Sequence, residues 1–151
     1  MNLSRKGEYA LRAMIVLARD YGEGHMRVQE IAEEERIPRK FLEQILLELR
    51  NAGLLESKRG VGGGYRLIKP PDEVTLAKIV RIIEGPLAPL SCVSQMAHVK
   101  CPEQDTCRLY SVMLDVRNAI ADVLEGVTLA DVSKKRIRKP QVRRRSRAPV
   151  R

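Results

Sequence analysis

The chain has few aromatic residues. Among 151 residues there is no Trp, a single Phe and four Tyr, so a core must be built from aliphatic side chains and Met. Such a composition favours helices over a β-sandwich, whose strands are enriched in aromatic and β-branched residues. A chain of this length can bury one sizeable core. We therefore predict one mainly helical body.

Long hydrophobic runs are also missing. No run of about 18 apolar residues occurs, and the N-terminal MNLSRKGEYA lacks the apolar region of a signal peptide. We expect no membrane partner and a cytoplasmic location. In that reducing compartment, the three clustered cysteines indicate metal ligands or redox thiols rather than a disulfide framework.

Acidic residues are absent from the C-terminal segment. Residues 134–151 contain ten Lys and Arg, whereas the formal net charge of the whole chain is +9. The preceding residues therefore sum to about −1, and the body is not globally basic. We predict a basic disordered tail over 134–151 that adds a salt-sensitive attraction to phosphates.

The N-terminal part predicts three helices. The first spans 4–20 with Ser4 as its cap, the second spans Val28–Glu35, and the third spans 39–52 after Pro38. Two short helices joined by a tight turn are typical of a helix-turn-helix. The third helix carries its apolar stripe on one face: Leu42, Ile45, Leu46 and Leu49.

Two short strands are predicted next, over 54–58 and 65–68, around the sequence RGVGGG. This pattern indicates a β-wing with a glycine-rich tip, which Arg59 and Arg66 bracket with positive charge. A nucleotide-binding loop is the alternative, but neither GxGxxG nor GxxxxGK[ST] is present and a strand follows where those motifs need a helix.

The second half predicts a helix over Leu76–Glu84, capped by Thr75, then a cysteine-containing loop and a long amphipathic helix over 108–125. The apolar stripe of that helix is wide for a small monomer, which indicates a dimer interface; ordinary core packing is the alternative. The predicted interface residues are Leu109, Val112, Met113, Val116, Ile120 and Val123.

Three segments together resemble one family. They are LSRKGEYALRAMIVLA, the stretch from IAEEERIPRK to RGVGGGYRL, and the three-cysteine loop before the long helix. Over residues 1–133 the chain resembles the Rrf-type winged helix-turn-helix transcriptional regulators. The resemblance implies a mainly α fold with a small β-wing and a long dimerisation helix. It also implies a homodimer that binds an imperfect palindrome of double-stranded DNA.

The predicted organisation therefore has three parts. Residues 1–70 form the winged helix-turn-helix domain, 71–133 the cysteine loop and dimerisation helix, and 134–151 the tail.

The candidate DNA-binding residues lie in the third helix and in the wing. In the third helix they are Arg39, Lys40, Glu43 and Gln44, where Arg and Lys bind guanine or phosphate and Gln pairs with adenine. In the wing they are Arg59, Gly62, Gly63, Gly64 and Tyr65, because glycines let backbone N–H groups approach phosphates. Solvated positions without contacts are the alternative for each of them.

Cys92, Cys101 and Cys107 follow the spacing C-x8-C-x5-C. Soft thiolates on a loop suit a 2Fe-2S or 4Fe-4S iron-sulfur cluster. Structural zinc and simple redox thiols are the alternatives, although zinc sites usually show C-x2-C pairs or four close ligands. The first gap is longer than is usual in family members that carry a cluster.

Two residues are candidates for the fourth ligand of the cluster. In some family members an acidic residue of the first helix completes the site from the partner subunit, and Glu8 matches that position, while His98 lies within the loop. A surface role is the alternative for both. The family resemblance implies a cluster-dependent repressor that senses iron, iron-sulfur status, nitric oxide or redox stress. A cluster-free regulator responding to a small molecule or thiol oxidation is the first alternative.

An electron-transfer iron-sulfur protein is the second alternative. It explains the cysteines but leaves the helix-turn-helix and the wing without a purpose. No Ser/His/Asp set or paired carboxylates suited to catalysis occur in the sequence, so we expect no enzyme activity.

Overall fold

The computed structural model describes residues 2–134. It is mainly helical with one two-stranded antiparallel sheet, which confirms the predicted fold class. The elements are α1 (Arg5–Arg19), α2 (Val28–Glu35), α3 (Arg39–Asn51), β1 (Leu55–Lys58), β2 (Gly64–Leu67), α4 (Leu76–Glu84), α5 (Tyr110–Glu125) and α6 (Leu129–Ser133). Three short 3-10 turns lie in the connections, at Pro71–Glu73, Ser91–Val93 and Gln104–Thr106.

Side-chain caps explain where two of the helices begin. Ser4 precedes α1, and its Oγ accepts a hydrogen bond from the Gly7 backbone N–H at 3.1 Å. Thr75 precedes α4, and its Oγ1 accepts from the Lys78 N–H at 3.3 Å. Because a cap residue is not itself helical, α1 starts one residue later than predicted.

The turn between α2 and α3 is built on a residue in the left-handed region. Arg36 has φ 53°, a conformation that non-glycine residues rarely adopt. The next residue, Ile37, is buried, and its N–H donates to the Ala32 carbonyl at 2.9 Å. Burial of Ile37 offsets the strain at Arg36, so this short turn fixes the direction in which α3 leaves α2.

One hydrophobic cluster joins α1, α2, α3 and both strands. Its largest fully buried members include Met14, Ile31, Leu42, Ile45, Leu46, Leu49 and Leu54. Val74, Ile79 and Leu129 belong to the same cluster, although they follow residue 70 in the chain. The predicted boundary at residue 70 therefore does not coincide with a gap in the packing.

The long helix α5 packs differently from the other long helices. It begins at Tyr110, two residues later than predicted, and lies wholly within the described range. None of its residues is buried. One face, which includes Ile120 and Leu124, packs against a small cluster formed by Ala77, Val80 and Leu87.

After α5 the chain returns to the winged-helix core. The Leu76 N–H donates to the Val127 carbonyl at 2.9 Å, and the Leu129 N–H donates to the Val74 carbonyl at 2.8 Å. Leu129 is fully buried, so α6 closes the core beside α1. Both ends of the segment that carries the cysteines and α5 are thereby attached to the same core.

Among residues 2–134, no helix combines the length and apolar character needed to cross a membrane. The predicted basic tail lies outside the described residues, apart from Lys134.

Candidate nucleic-acid interface and cysteine loop

The first two turns of α3 present polar side chains to solvent. The buried face of α3 consists of Leu42, Ile45, Leu46 and Leu49, which are fully buried. The four predicted DNA-binding residues of this helix lie on the opposite face and are all exposed: Arg39, Lys40, Glu43 and Gln44. Arg39 Nε lies 3.1 Å from Glu43 Oε1, an exposed pair that a DNA group can displace.

The wing follows directly from the pairing of β1 and β2. Leu55 pairs with Leu67 and Lys58 pairs with Gly64, which leaves residues 59–63 as the tip. Gly60 and Gly62 have φ of 88° and 70°, so the tip conformation requires glycine at both. Arg59 is exposed at the tip and remains a candidate for a DNA contact.

Three other predicted DNA-binding residues of the wing have structural roles. Gly63 is buried, and a Cβ there would collide with the carbonyl oxygen of Lys58. A Cβ on Gly64 would collide with the backbone of Met26. Tyr65 exchanges two backbone hydrogen bonds with Met26, at 2.8 and 2.9 Å, and its side chain packs on the core. Gly63 therefore allows close packing within the wing, and Gly64 and Tyr65 attach the wing to the segment before α2.

A cleft of about 320 Å³ lies between the start of α2, the start of α3 and the base of the wing. Its lining residues include the basic side chains Arg27, Arg39 and Lys58, together with Gln29 and the glycines of the wing. Neither Arg27 nor Lys58 is among the site residues predicted from the sequence. The available signal was a basic residue immediately before a predicted helix and another before the glycine-rich tip, but only the fold brings the two together.

The cysteine loop connects α4 to α5. Cys92 lies in the 3-10 turn Ser91–Val93, and Cys107 follows the turn Gln104–Thr106. Cys92 and Cys101 are half-buried and Cys107 is exposed, all as free thiols. Within residues 2–134, no three His, Cys, Asp or Glu side chains are arranged closely enough to hold a metal ion. The loop would have to close further to bring all three sulfurs to one centre.

The Cys101 thiol has a carboxylate partner. Its Sγ donates to Glu103 Oε2 at 3.3 Å. A backbone hydrogen bond at Glu103 lowers the pKa of Cys101, but the Glu103 carboxylate, slight burial and the charge of nearby Cys92 together raise it overall. In this conformation the loop therefore favours the protonated form of Cys101.

The three cysteine sulfurs are of the chemical type that binds an iron-sulfur cluster. Three accessible thiols lie on one irregular segment, and the cluster type needs thiolate ligands. Beneath the segment, Arg117 Nε of α5 is buried and has no hydrogen-bond partner among the described residues. Arg117 lines a cavity of about 20 Å³ with Ser94 and Met96, just after Cys92 in the chain. A cation under the loop suits the negative charge that clustered thiolates would carry.

The two candidates for the fourth ligand occupy different places. Glu8 is half-exposed on α1, and its carboxylate lies 3.7 Å from Arg5 and 3.4 Å from Arg12. His98 is exposed within the loop. Neither groups with the cysteines in a metal-holding arrangement among the described residues of a single chain. Donation of Glu8 from a partner subunit remains a prediction.

Arg12 connects Glu8 to the helix-turn-helix. Its Nε donates to Glu35 Oε2 at 2.8 Å, and one of its Nη atoms donates to the Glu35 carbonyl at 2.6 Å. Glu35 is the last residue of α2, directly before the Arg36 turn. The hydrogen bonds raise the pKa of Arg12, so it stays fully charged. Glu8 and the turn that precedes α3 therefore share one guanidinium.

The outer face of α5 and the residue before it expose an apolar stripe. Leu109 is 60% exposed, Val112 52%, Val116 39% and Val123 58%. Met113 and Ile120 are only half-buried, and Ile120 packs against the chain's own small cluster. The predicted interface thus combines two adjacent faces: one contacts this chain in part, and the other contacts no part of the core.

This combination defines a class of protein. A helix-turn-helix with an exposed polar helix face, a β-wing and an adjacent basic cleft defines a winged-helix DNA-binding regulator. The Rrf2 family model, described as an iron-dependent transcriptional regulator, matches residues 3–135. The chain belongs to the Rrf2 family. It is a transcriptional regulator and not an enzyme.

Several known proteins are similar over most of the chain. CymR of Bacillus subtilis is 36% identical over 133 residues, covering 88% of this chain and 90% of its own. IscR of Aliivibrio salmonicida is 32% identical over 132 residues, covering 87% and 77%. The solved structure of B. subtilis CymR, named the global cysteine regulator, superposes with a TM-score of 0.73 at 36% identity, covering 88% and 96%. The structure of T. potens IscR gives 0.68 at 34% identity, covering 87% and 85%.

Proposed function

We propose that the protein is a homodimeric transcriptional repressor whose binding to an imperfect DNA palindrome is controlled by an iron-sulfur cluster on the cysteine loop. The observation that carries the proposal is the position of that loop. It packs against α5, whose other face is exposed and apolar, and so links a candidate sensor to a candidate dimer interface. The description of the family as iron-dependent supports the same interpretation.

The dimer follows from the exposed stripe of α5. Leu109, Val112, Val116 and Val123 recur at steps of three, four and seven residues, which places them on one face of the helix. Apolar side chains in such a contiguous stripe are stabilised when a second copy covers them. In the proposed dimer the two α5 helices cross, and the two-fold symmetry of the dimer relates its two α3 helices in the way that the half-sites of a palindrome are related.

Control of DNA binding follows from the ion pairs of Glu8. When bound, the cluster supplies a centre whose charge and integrity respond to oxidation, iron supply and nitric oxide. In the proposed dimer, Glu8 of one subunit turns toward the cysteine loop of the other and leaves Arg12. Arg12 then binds Glu35 alone, which changes how firmly Arg12 holds the turn before α3. The two arrangements of Glu8 are the two states of the switch.

Purification without oxygen tests the proposal. We expect broad visible absorption with stoichiometric iron and sulfide, and binding to duplexes selected from a random pool that changes after exposure to oxygen or nitric oxide. Cys101→Ala should still dimerise but lose the dependence on the cluster, whereas Ser91→Ala in the same loop should behave as wild type. Unchanged control in Cys101→Ala would overturn the proposed sensor.

A second candidate function is a cluster-free regulator that responds to oxidation of the loop thiols or to a small molecule. Two observations favour it: the Cys101 thiol already has a partner in Glu103, and CymR, a similar protein, is named a global cysteine regulator. This candidate predicts colourless, iron-free protein whose DNA binding changes with thiol oxidants. Either function implies a cytoplasmic location, because the DNA and the reduced thiols are found there.

A further inference from the structure

The basic cleft beside α3 contains side chains that have no role in the proposed sensor or the proposed dimer interface. It is lined by Arg27 from the segment before α2, Arg39 from α3 and Lys58 from the end of β1. Three separate elements thus direct cationic side chains toward one concavity. Among residues 2–134, neither Arg27 nor Lys58 forms an ion pair, and Arg39 pairs only with exposed Glu43. The cleft therefore carries an excess of positive charge.

Backbone donors at the start of α2 add to this charge. The residue before α2 is Arg27, whose side chain has no acceptor, so it gives no side-chain cap to the helix. Glu30 accepts from the Arg27 N–H at 2.8 Å, and the first backbone bond of the helix comes from the Ile31 N–H. Among residues 2–134, no acceptor is bonded to the N–H groups of Val28 and Gln29, both of which line the cleft, so these groups can donate to an anion.

The wing makes the cleft rigid and keeps its floor open. Gly60, Gly63 and Gly64 line it and carry no side chain that would fill the space. The two hydrogen bonds between Met26 and Tyr65 fix the base of the wing against the residue that precedes Arg27. These bonds therefore hold the base of the wing beside the start of α2.

Two carboxylates border this region, and both are engaged. Glu30 accepts from the Arg27 backbone, and Glu43 pairs with Arg39. Three basic side chains against these two acids leave a net positive charge, to which the free N–H groups add. A phosphodiester, with one negative charge and oxygens that accept hydrogen bonds, matches this set of donors.

We propose that this cleft binds a single DNA phosphate in each half-site and so fixes the register of α3 in the major groove. The inference rests on the proposed DNA-binding function and adds two residues outside α3 and the wing tip, Arg27 and Lys58. Arg27 and Lys58 act as positioning residues. They contribute affinity that is independent of base sequence, because every nucleotide carries the same phosphate.

The test uses Arg27→Gln and Lys58→Gln in the full chain, with Lys69→Gln and Lys78→Gln as matched controls that remove one exposed positive charge elsewhere. Affinity is measured against a selected operator and a random-sequence duplex over a range of salt concentrations. The Arg27→Gln/Lys58→Gln double variant should lower the magnitude of the slope of log Kobs against log[salt] by about 0.9 for the one phosphate in each half-site, or about 1.8 per dimer. Each single variant should lower the slope by part of that amount. Both duplexes should weaken by the same factor, and the controls should match wild type.

A backbone substitution identifies the phosphate itself. Methylphosphonate replaces one phosphate at a time along the operator, and one position per half-site should weaken wild-type binding while leaving the Arg27→Gln/Lys58→Gln double variant unaffected.

Failure of the cleft and failure of the proposed function give different results. Wild-type protein that binds neither duplex overturns the proposed function and the cleft together. Wild-type binding with cleft variants whose salt slopes equal those of the controls overturns the cleft alone. A change in the ratio of operator to random affinity would assign Arg27 and Lys58 to base recognition instead, and would also overturn the proposal.

Discussion

The winged-helix region and the α5 region of this chain differ in how much of their hydrophobic surface is buried. In the winged-helix region, α1 alone buries seven residues, and α3 buries four. In α5, which is one residue longer than α1, none is buried. The first region is complete within one chain, whereas the second presents apolar surface that this chain leaves uncovered.

The two regions also differ in how far apart in the sequence their polar contacts reach. In the winged-helix region, ion pairs join residues far apart in sequence, such as Arg12 with Glu35 and Arg19 with Glu34. In the cysteine loop, side-chain hydrogen bonds join residues two or three positions apart, such as Cys101 with Glu103. Local bonds of this kind persist while a loop changes shape, so the comparison separates a fixed DNA-binding part from a part able to rearrange.

Equal truncations in the two regions should give the largest contrast. Leu46→Ala removes a fully buried side chain of α3 and should lower the free energy of unfolding by roughly 2–5 kcal/mol. Leu109→Ala removes a side chain that is 60% exposed, and its cost should vanish when the protein is diluted below its dimer dissociation constant. Urea unfolding at several protein concentrations measures both. An equal cost for Leu109→Ala in the dilute monomer would remove the distinction between the regions.

A charge on the exposed face of α5 should separate the subunits. Val116→Glu places a carboxylate within the apolar stripe and should weaken dimerisation roughly 100-fold, because a buried unpaired charge costs several kcal/mol. Asn118→Glu, exposed on another face of the same helix, is the control and should leave the dimer intact. Sedimentation velocity measures the dissociation constants. Equal dimerisation of both variants would place the interface elsewhere.

Loss of Arg12 should test the connection between α1 and the helix-turn-helix. Arg12→Gln removes the bonds to the Glu35 carboxylate and carbonyl, and partial exposure limits the expected loss of unfolding free energy to about 1 kcal/mol. Arg5→Gln is the control, since Arg5 is largely exposed and contacts Glu8 only at 3.7 Å. Thermal unfolding gives the stability, and operator affinity gives the effect on α3. A variant with unchanged stability and affinity would show that Arg12 does not restrain the turn.

The smallest effect is expected for the ion pairs at the end of α1. Arg19 lowers the pKa of both Asp20 and Glu34 through side-chain hydrogen bonds. A carboxyl group with a lowered pKa in the folded state stabilises the fold above its unfolded pKa, and that stabilisation is lost as the pH falls through the folded pKa. Because these groups are about one-third exposed, the total should stay below about 1 kcal/mol.

Arg19→Gln should therefore destabilise the protein slightly at pH 7, and the difference from wild type should shrink progressively as the pH falls below about 4. Unfolding curves for both proteins between neutral and acidic pH measure this. A difference that grew on acidification would contradict the assignment of Asp20 and Glu34 as the groups responsible.

The helices and the wing are predictable because their signals are local. Ser4 and Thr75 cap their helices, Pro38 precedes α3, and glycines separate the two strands of the wing. Most predicted boundaries therefore lie within two residues of the observed ones. The predicted start of α5 is two residues too early, because Leu109 continues the apolar stripe without belonging to the helix. Periodicity alone reports which side chains are apolar and not which element covers them.

The parts of the site that are not predictable depend on contacts between distant segments. Gly63 and Gly64 are predicted for DNA contact, but packing against Lys58 and Met26 gives each glycine a role within the fold. The cleft of Arg27, Arg39 and Lys58 exists only after the wing has folded back onto α2. Spacing in the sequence gives no measure of such distances. The predicted role of Glu8 depends on a second copy, and the ligand roles of both Glu8 and His98 stay predictions.

The pairing of Thr75 with Thr128 gives the chain a closed loop. From Thr75 the polypeptide passes through α4, the cysteines and α5, and it returns at Thr128 to the place where this segment began. A segment whose two ends are held together adds little entropic cost when it lengthens, since closure entropy rises only with the logarithm of loop size. Insertions or deletions between residues 88 and 108 should therefore leave the DNA-binding part folded. The long first cysteine gap is a change in length that such an architecture accommodates.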